Sequence, residues 1–283
     1  MSTLAVRSTL RLHRPAALLW VLALAAATTY LIRLHVLADK AREGVSACAV
    51  PAQDGLPLCS AVEAITADAT YADGIALVTG CLALLMFPVA AWAGAVVGRE
   101  LETGTARLAW TQSAPPARWL AGRLAVPAAL LTAGTGTVVL LNNWARGDEN
   151  PDLVGDWYSA DVFVGTGPAA VAHALAGLAL GTLAGLLTGR ALAGAAAAFA
   201  GCLVLHSAVD FFRADLWPTL THVGAFEPPR SYYQVDWAAG ETVLTYHPAS
   251  HYWPLQYVET GLLLAVAAAA TAGAFLLLRR RTA

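Results

Sequence analysis

The chain has 283 residues, 58% of them apolar and 13% charged, with a formal charge of −2. An average soluble domain carries about 25% charged residues, so this composition excludes an ordinary water-soluble fold and points to a membrane. Six apolar runs approach the roughly 20 residues that a bilayer core requires, at about 16–34, 75–97, 120–141, 169–188, 191–209 and 258–278.

The first run follows Arg7, Arg11 and Arg14, as the core of a signal peptide would. It is too long for one, and LIRLHVLADK after it offers no small-residue cleavage site, so it is read as a retained span. In the segment that follows, about 35–73, Cys48 and Cys59 bracket CAVPAQDGLPLC. A disulfide and two free thiols both remain open there, because spacing alone does not fix geometry. Cys81 and Cys202 fall inside spans and read as packing residues.

Between the second and third spans lies GRELETGTARLAWTQSAPPARW, a polar stretch between two apolar ones. Thr103 or Thr105 is placed to cap a short helix starting near Thr105, and Pro115-Pro116 stops it. Ala106 to Gln112 then form about two turns. Leu101, Leu108 and Trp110 offer apolar contacts within a frame of Arg99, Glu100, Glu102 and Arg107, the makings of a protein-docking element. Arg123, like Arg33, sits near a span end, where its long side chain reaches the interface.

The second loop, about 142–168, opens on the acidic, turn-rich NNWARGDENPD. In the fourth span Gly177, Gly181, Gly185 and Gly189 recur every four residues, a flat stripe that allows close helix approach. The fifth span continues with Gly194, Ala195 to Ala198 and Gly201, so the two spans are expected to form a tight hairpin. His173 precedes the stripe in the same register, and an ionisable group at such a place is a functional candidate or a partner for a neighbouring helix. His206 and Asp210 share a face at i and i+4, which suggests a local pair. From Asp210 to Gln256 the chain carries Trp217, Tyr232, Tyr233, Trp237, Tyr246, Tyr252 and Trp253, either an interfacial aromatic belt or a lid.

Orientation follows from the basic residues, which are retained on the cytoplasmic side during insertion. With the N-terminus inside, the inner segments hold eleven arginines against Glu100 and Glu102, a net +9, and the outer side holds six basic and 17 acidic residues, a net −11. Both termini are therefore expected in the cytoplasm. Lys40 is the only lysine and falls in an outer loop, so no phosphate-binding GxxxxGK[ST] loop exists on this chain. There is no HExxH, no paired CxxC, and no metal site is expected. Ser207 adjoins His206, but adjacent helical residues do not face each other, so a serine-protease reading has little support.

The order RE, LETGT, a short helix, a Pro-containing turn and RW before an apolar span resembles the first cytoplasmic loop of type-2 ABC exporter permeases. LRLHRPAALL looks like the short basic leading helix of the bacterial members, and HYWPLQYVETGLLLAVAAAATAGAFLLLRRR is similar to their last span and basic tail. The resemblance implies an all-α membrane protein, a single six-span permease domain over 1–283, with no ATPase of its own. It implies a separate ATP-binding subunit that supplies ATP and Mg, and a homodimer or heterodimer with a second permease in the lipid bilayer; no nucleic acid is involved. Carried over, Arg99, Glu100, Glu102, Gly104 and Thr105 shape the turn of a coupling segment, while Leu108 and Trp110 contact the ATPase. The resemblance also implies a re-entrant loop between the fifth and sixth spans, with Glu259 beginning the last helix. Ala114, Pro115 and Pro116 depart from the usual single proline followed by a basic residue. The Arg-rich, Lys-poor composition suggests a bacterium of high GC content and its plasma membrane. Two rivals are a membrane scaffold without a path, and a membrane-embedded enzyme using His173, His206 or His222. The apolar spans tilt the expected cargo toward amphipathic molecules.

Overall fold

The computed structural model describes residues 14–49, 62–112, 115–147, 150–224, 227–237 and 243–282. Among the described residues the fold is mostly helical, with six helical segments long and apolar enough to cross a membrane. They are carried by α1 (Arg14–Ala49), the pair α2 (Val62–Leu84) and α3 (Met86–Glu102), α5 (Pro116–Arg146), α8 (Ala169–Thr188), α9 (Ala191–Phe212) and α10 (Tyr252–Thr282). Between them lie α4 (Thr105–Gln112), α6 (Pro151–Val154) and α7 (Ala160–Thr166). The helices overrun the apolar runs: α1 continues to Ala49 and α10 starts at Tyr252. Apolarity marks only the stretch that needs lipid, whereas helical hydrogen bonding continues into polar sequence. Cys59, and with it the expected pairing with Cys48, lies outside the described residues.

The second span is broken where the sequence predicts one helix. Leu85 separates α2 from α3, three residues before Pro88, whose ring lacks an N–H and clashes with the carbonyl four residues back. Pro127 lies inside α5, which continues past it to Arg146.

α8 is the most buried of the spans, and the glycine stripe explains how. A Cβ at Gly177 would meet the Met86 carbonyl oxygen at 2.5 Å, one at Gly181 the Ala90 oxygen at 2.3 Å, and one at Gly185 the Gly94 oxygen at 2.8 Å. The stripe therefore faces α3 rather than forming only the hairpin with α9. That hairpin joins the same knot, because a Cβ on Gly194 of α9 would lie 2.6 Å from the Gly94 oxygen and 3.1 Å from Gly185 Cα. Gly189 is not a packing residue: its φ of +63° makes it the left-handed cap that ends α8, its N–H bonding the Gly185 carbonyl.

α7 is short and buried, so the carbonyls at its C-terminal end have no helical partner of their own. Side-chain amides take them. Asn142 Nδ2 donates to the Gly165 oxygen at 3.4 Å and Asn143 Nδ2 to the Thr166 oxygen at 2.8 Å. From α10, Gln256 Nε2 donates to the Phe163 oxygen while its Oε1 accepts from the Ala169 N–H at 3.3 Å. Backbone that is not regular helix is tolerated inside such a bundle only when its polar groups are satisfied this way.

Between α9 and α10 the chain forms an antiparallel sheet, β1 (Leu220–Val223), β2 (Tyr233–Trp237) and β3 (Val243–His247), with β3 in the centre. β1 pairs Leu220 with Tyr246, and β2 pairs Tyr233 with His247, with an irregularity between Gln234 and Asp236. The expected re-entrant loop is thus replaced by a sheet in the described part of this segment. Arg230, just before β2, bonds Asp152 and Asp156, and Trp157 Nε1 donates to the Ser231 oxygen at 2.7 Å. These contacts fasten the sheet to the α6–α7 connection.

Candidate functional site

At the end of α3 the chain turns sharply into α4, and every polar residue in the turn has a defined task. Gly104 has φ +74° and donates its N–H to the Leu101 oxygen at 3.2 Å, the left-handed residue that closes α3. The Leu108 N–H bonds back to the Gly104 oxygen at 3.1 Å, so α4 begins at once. The two threonines do not cap α4 as the sequence suggests. Thr103 Oγ1 donates to the Arg99 oxygen at 2.8 Å and Thr105 Oγ1 to the Glu100 oxygen at 3.2 Å. Both hydroxyls lie within reach of the last carbonyls of α3, where acceptor capacity is left over; the Arg99 oxygen takes the Thr103 hydroxyl in addition to the Thr103 N–H at 2.9 Å.

Glu100 joins α3 to α5. Its Oε1 lies 2.6 Å from Arg123 Nη2 and its Oε2 accepts from Trp119 Nε1 at 3.1 Å. Glu102 joins α3 to the start of α9, its Oε2 accepting the Ala191 N–H at 3.0 Å, where an anion is favoured by the helix N-terminus. Backbones approach just as closely here: a Cβ on Gly98 would meet the Arg190 oxygen at 2.3 Å. α4 itself is seated by Ala106 and by Trp110, whose ring meets Trp119 edge-on at 5.6 Å. Trp110 therefore faces inward. Leu108, at 56% exposure, is the apolar side chain that α4 presents outward, beside the exposed Arg107. Arg99 is also exposed, and its carbonyl serves the turn.

At the other end of the bundle, α8, α9 and α10 bring a polar cluster together. Arg213 Nε donates to Glu259 Oε2 at 2.9 Å and Arg213 Nη1 to Asp210 Oδ1 at 2.7 Å. The guanidinium also covers the Phe163 ring of α7 at 4.7 Å. His173 Nε2 stands 3.9 Å from Glu259 Oε1, and the His173 and His206 rings meet edge-on at 5.8 Å. His173 and Glu259 are wholly buried. Two expectations change. Asp210 takes Arg213, not His206, as its bonded partner, and Glu259 sits two turns inside α10 instead of beginning it. Among the described residues no group of three His, Cys, Asp or Glu side chains could hold a metal ion.

The model of the family described as ABC-2 membrane transporter related matches residues 19–213, more than half of the 283-residue chain. The chain belongs to this family. No curated protein and no solved structure matches it. The matched stretch of this ABC-2 permease takes in the α3–α4 turn and the glycine knot, and it ends on Arg213; the sheet and α10 lie beyond it. Membership makes the chain a multi-pass membrane subunit of the transport kind and implies association with an ATP-binding subunit.

Sequence reasoning about the permease missed Arg213, Gln256 and the pairing of Arg123 with Glu100. A signal was present for the first: Asp210 and Arg213 stand at i and i+3 at the end of an apolar run. Nothing local linked either residue to Glu259, 46 positions beyond Arg213.

Proposed function

We propose that this ABC-2 permease is the path-forming half of an exporter, a single six-span domain over 1–283 driven by a separate ATPase that binds ATP and Mg. The observation that carries the reading is the double brace at the α3–α4 turn. Glu100 fixes the turn to α5 and Glu102 fixes it to α9, so a push on α4 is delivered to three spans at once. The +9 and −11 charge of the two faces supports placing this turn and both termini in the cytoplasm, with the protein in a bacterial plasma membrane.

In this mechanism two permeases, identical or related, enclose the path, and two ATPase subunits closing on ATP press on the paired α4 helices. The Gly104 turn is short and fully bonded, so α3 and α4 move together. α3 carries the motion into α8 through the Gly177, Gly181 and Gly185 contacts, and the path opens outward to release an amphipathic cargo. Closure shifts the equilibrium only by the difference in the ATPase's affinity for the two states. Arg107 and Leu108 make the contact, while Trp110 and Trp119 hold α4 in place behind them. Arg99 and Thr105 shape the turn.

The test is a mild-detergent co-purification of the ATP-binding subunit with the permease. Arg107→Glu combined with Leu108→Asp is expected to lower recovery at least about tenfold, equivalent to ~1.4 kcal/mol, with the permease still inserted. Undiminished recovery would sink the docking assignment. Glu100→Ala with Glu102→Ala acts differently: the ATPase still binds, and transport falls by about tenfold or more because the push no longer reaches α5 and α9. A well-inserted double variant with normal transport would refute the brace as the coupling route.

A further inference from the structure

We propose that the end of the bundle carrying α4 holds a binding site for the headgroup of an anionic phospholipid, built from Arg99, Arg190 and Arg281 around the α8–α9 turn. Three elements bring these residues to one place. A Cβ on Gly98 would meet the Arg190 oxygen at 2.3 Å, so the end of α3 lies against the turn, and Arg99 is the next residue. Arg281, near the end of α10, donates from Nη2 to the Leu187 oxygen at 3.2 Å. Its Nη1 lies 4.0 Å from where a Cβ on Gly189 would stand, and Gly189 directly precedes Arg190. Arg99, Arg190 and Arg281 therefore ring the turn, and all three are exposed.

The charge there is uncompensated. Arg279 and Arg280 add to the same rim and are also exposed, and none of these arginines makes an ion pair among the described residues. Of the two carboxylates at this end, Glu100 is taken by Arg123 and Trp119, and Glu102 already gives one oxygen to the Ala191 N–H. Five guanidinium groups against Glu102 complement a phosphodiester, which arginine binds through paired N–H donors. The apolar flank selects a lipid over a soluble phosphate. α9 and α10 both pack along α8 but not along each other, so the end of α8 is left open between them. Leu187 of α8, Leu192 of α9 and Leu276 of α10 are 57%, 84% and 58% exposed, each within about a turn of an arginine of the site, where acyl chains find an apolar wall. The retention of basic residues on one side of a membrane accounts for arginines at this end, but not for their meeting at one turn, without counter-ions, beside an open apolar flank.

The experiment uses the purified full-length permease alone in detergent micelles, so its outcome does not depend on the ATPase. Dioleoyl phosphatidylglycerol, dioleoyl phosphatidylcholine and free glycerol phosphate are titrated in turn, and bound copies are counted by native mass spectrometry. Phosphatidylglycerol is expected to bind at least about tenfold more tightly than phosphatidylcholine, as the attraction of several arginines to an anionic headgroup requires, and glycerol phosphate to bind far more weakly than either lipid. Arg190→Gln with Arg281→Gln should remove most of that preference, while Arg107→Gln with Arg118→Gln, an equal loss of charge at the same end, should keep it. Arg190→Glu is the second variant: the Arg190 side chain is exposed, so the fold does not depend on it, and phosphatidylglycerol binding should fall about fivefold or more with phosphatidylcholine binding unchanged. Equal binding of the two lipids overturns the proposal without any variant. So does a preference that survives in Arg190→Gln with Arg281→Gln, or one that the two pairs of substitutions reduce alike, which would mark a diffuse field in place of a site. Glycerol phosphate binding as tightly as phosphatidylglycerol would show a soluble-anion site. Arg190→Glu leaving lipid binding intact while abolishing co-purification of the ATP-binding subunit would make the patch a protein dock, and the lipid site would fall.

Discussion

Arg213→Met is expected to destabilise the permease by about 3–5 kcal/mol, the loss seen when one partner of a buried ion pair is removed. Glu259 is wholly buried on α10, and Arg213 Nε is the donor that reaches its Oε2. Methionine keeps much of the side-chain length and some contact with Phe163, so the change isolates the charge. Asp210, whose side chain is 46% exposed, loses a partner but retains solvent, and contributes little to the loss. The large cost comes from Glu259, left as an anion with no cation beside it. Adding Glu259→Leu to Arg213→Met should recover more than half of the loss, since an apolar pair of similar size needs no desolvation. Equilibrium unfolding in mixed micelles measures both steps. A single variant within ~0.5 kcal/mol of the native chain, or a double variant no better than the single, would show that the pair is not a buried unit.

Gly181→Val is the second large effect, at about 3 kcal/mol, the upper end for overpacking. The added Cβ alone would stand 2.3 Å from the Ala90 carbonyl oxygen and 2.8 Å from Ala93 Cβ. The first of these is backbone in the middle of α3, which cannot rotate aside, so the helices must separate. Gly201→Ala on α9 is the matched control: a Cβ there meets nothing within 4 Å, and stability should be unchanged or raised by up to ~1 kcal/mol. If both substitutions were equally tolerated, α3 and α8 would not be in backbone contact. On the proposed mechanism Gly181→Val also weakens transport more than ATPase binding, because it widens the contact that carries motion from α3 to α8.

These two experiments probe features that were unequally visible in the sequence. The glycine stripe was legible because a four-residue repeat fixes a helix face before any partner is known, but which helix covers it was not. Gly189 shares the spacing yet lies one residue past the helix end, where its φ of +63° gives it another task. Spacing encodes position on a face only while the helix lasts. The α3–α4 turn was legible in outline from Gly104 and Pro115-Pro116, while the roles of Thr103 and Thr105 were not, since a hydroxyl serves whichever orphan carbonyl or N–H lies nearest. The sheet escaped notice because its strands are four or five residues long and sit among aromatic residues that also suit an interface.

What the sequence by itself determined is the solvent and the number of crossings. Burying a peptide backbone in lipid requires long apolar helices, and that requirement is written as run length. What only the tertiary structure decided is which polar groups meet: Glu100 with Arg123, Glu102 with the α9 N-terminus, and Arg213 and His173 with Glu259. Such pairs join residues between 23 and 89 positions apart. Their energy depends on a few ångströms of distance and on the exclusion of water, neither of which leaves a periodic trace along the chain.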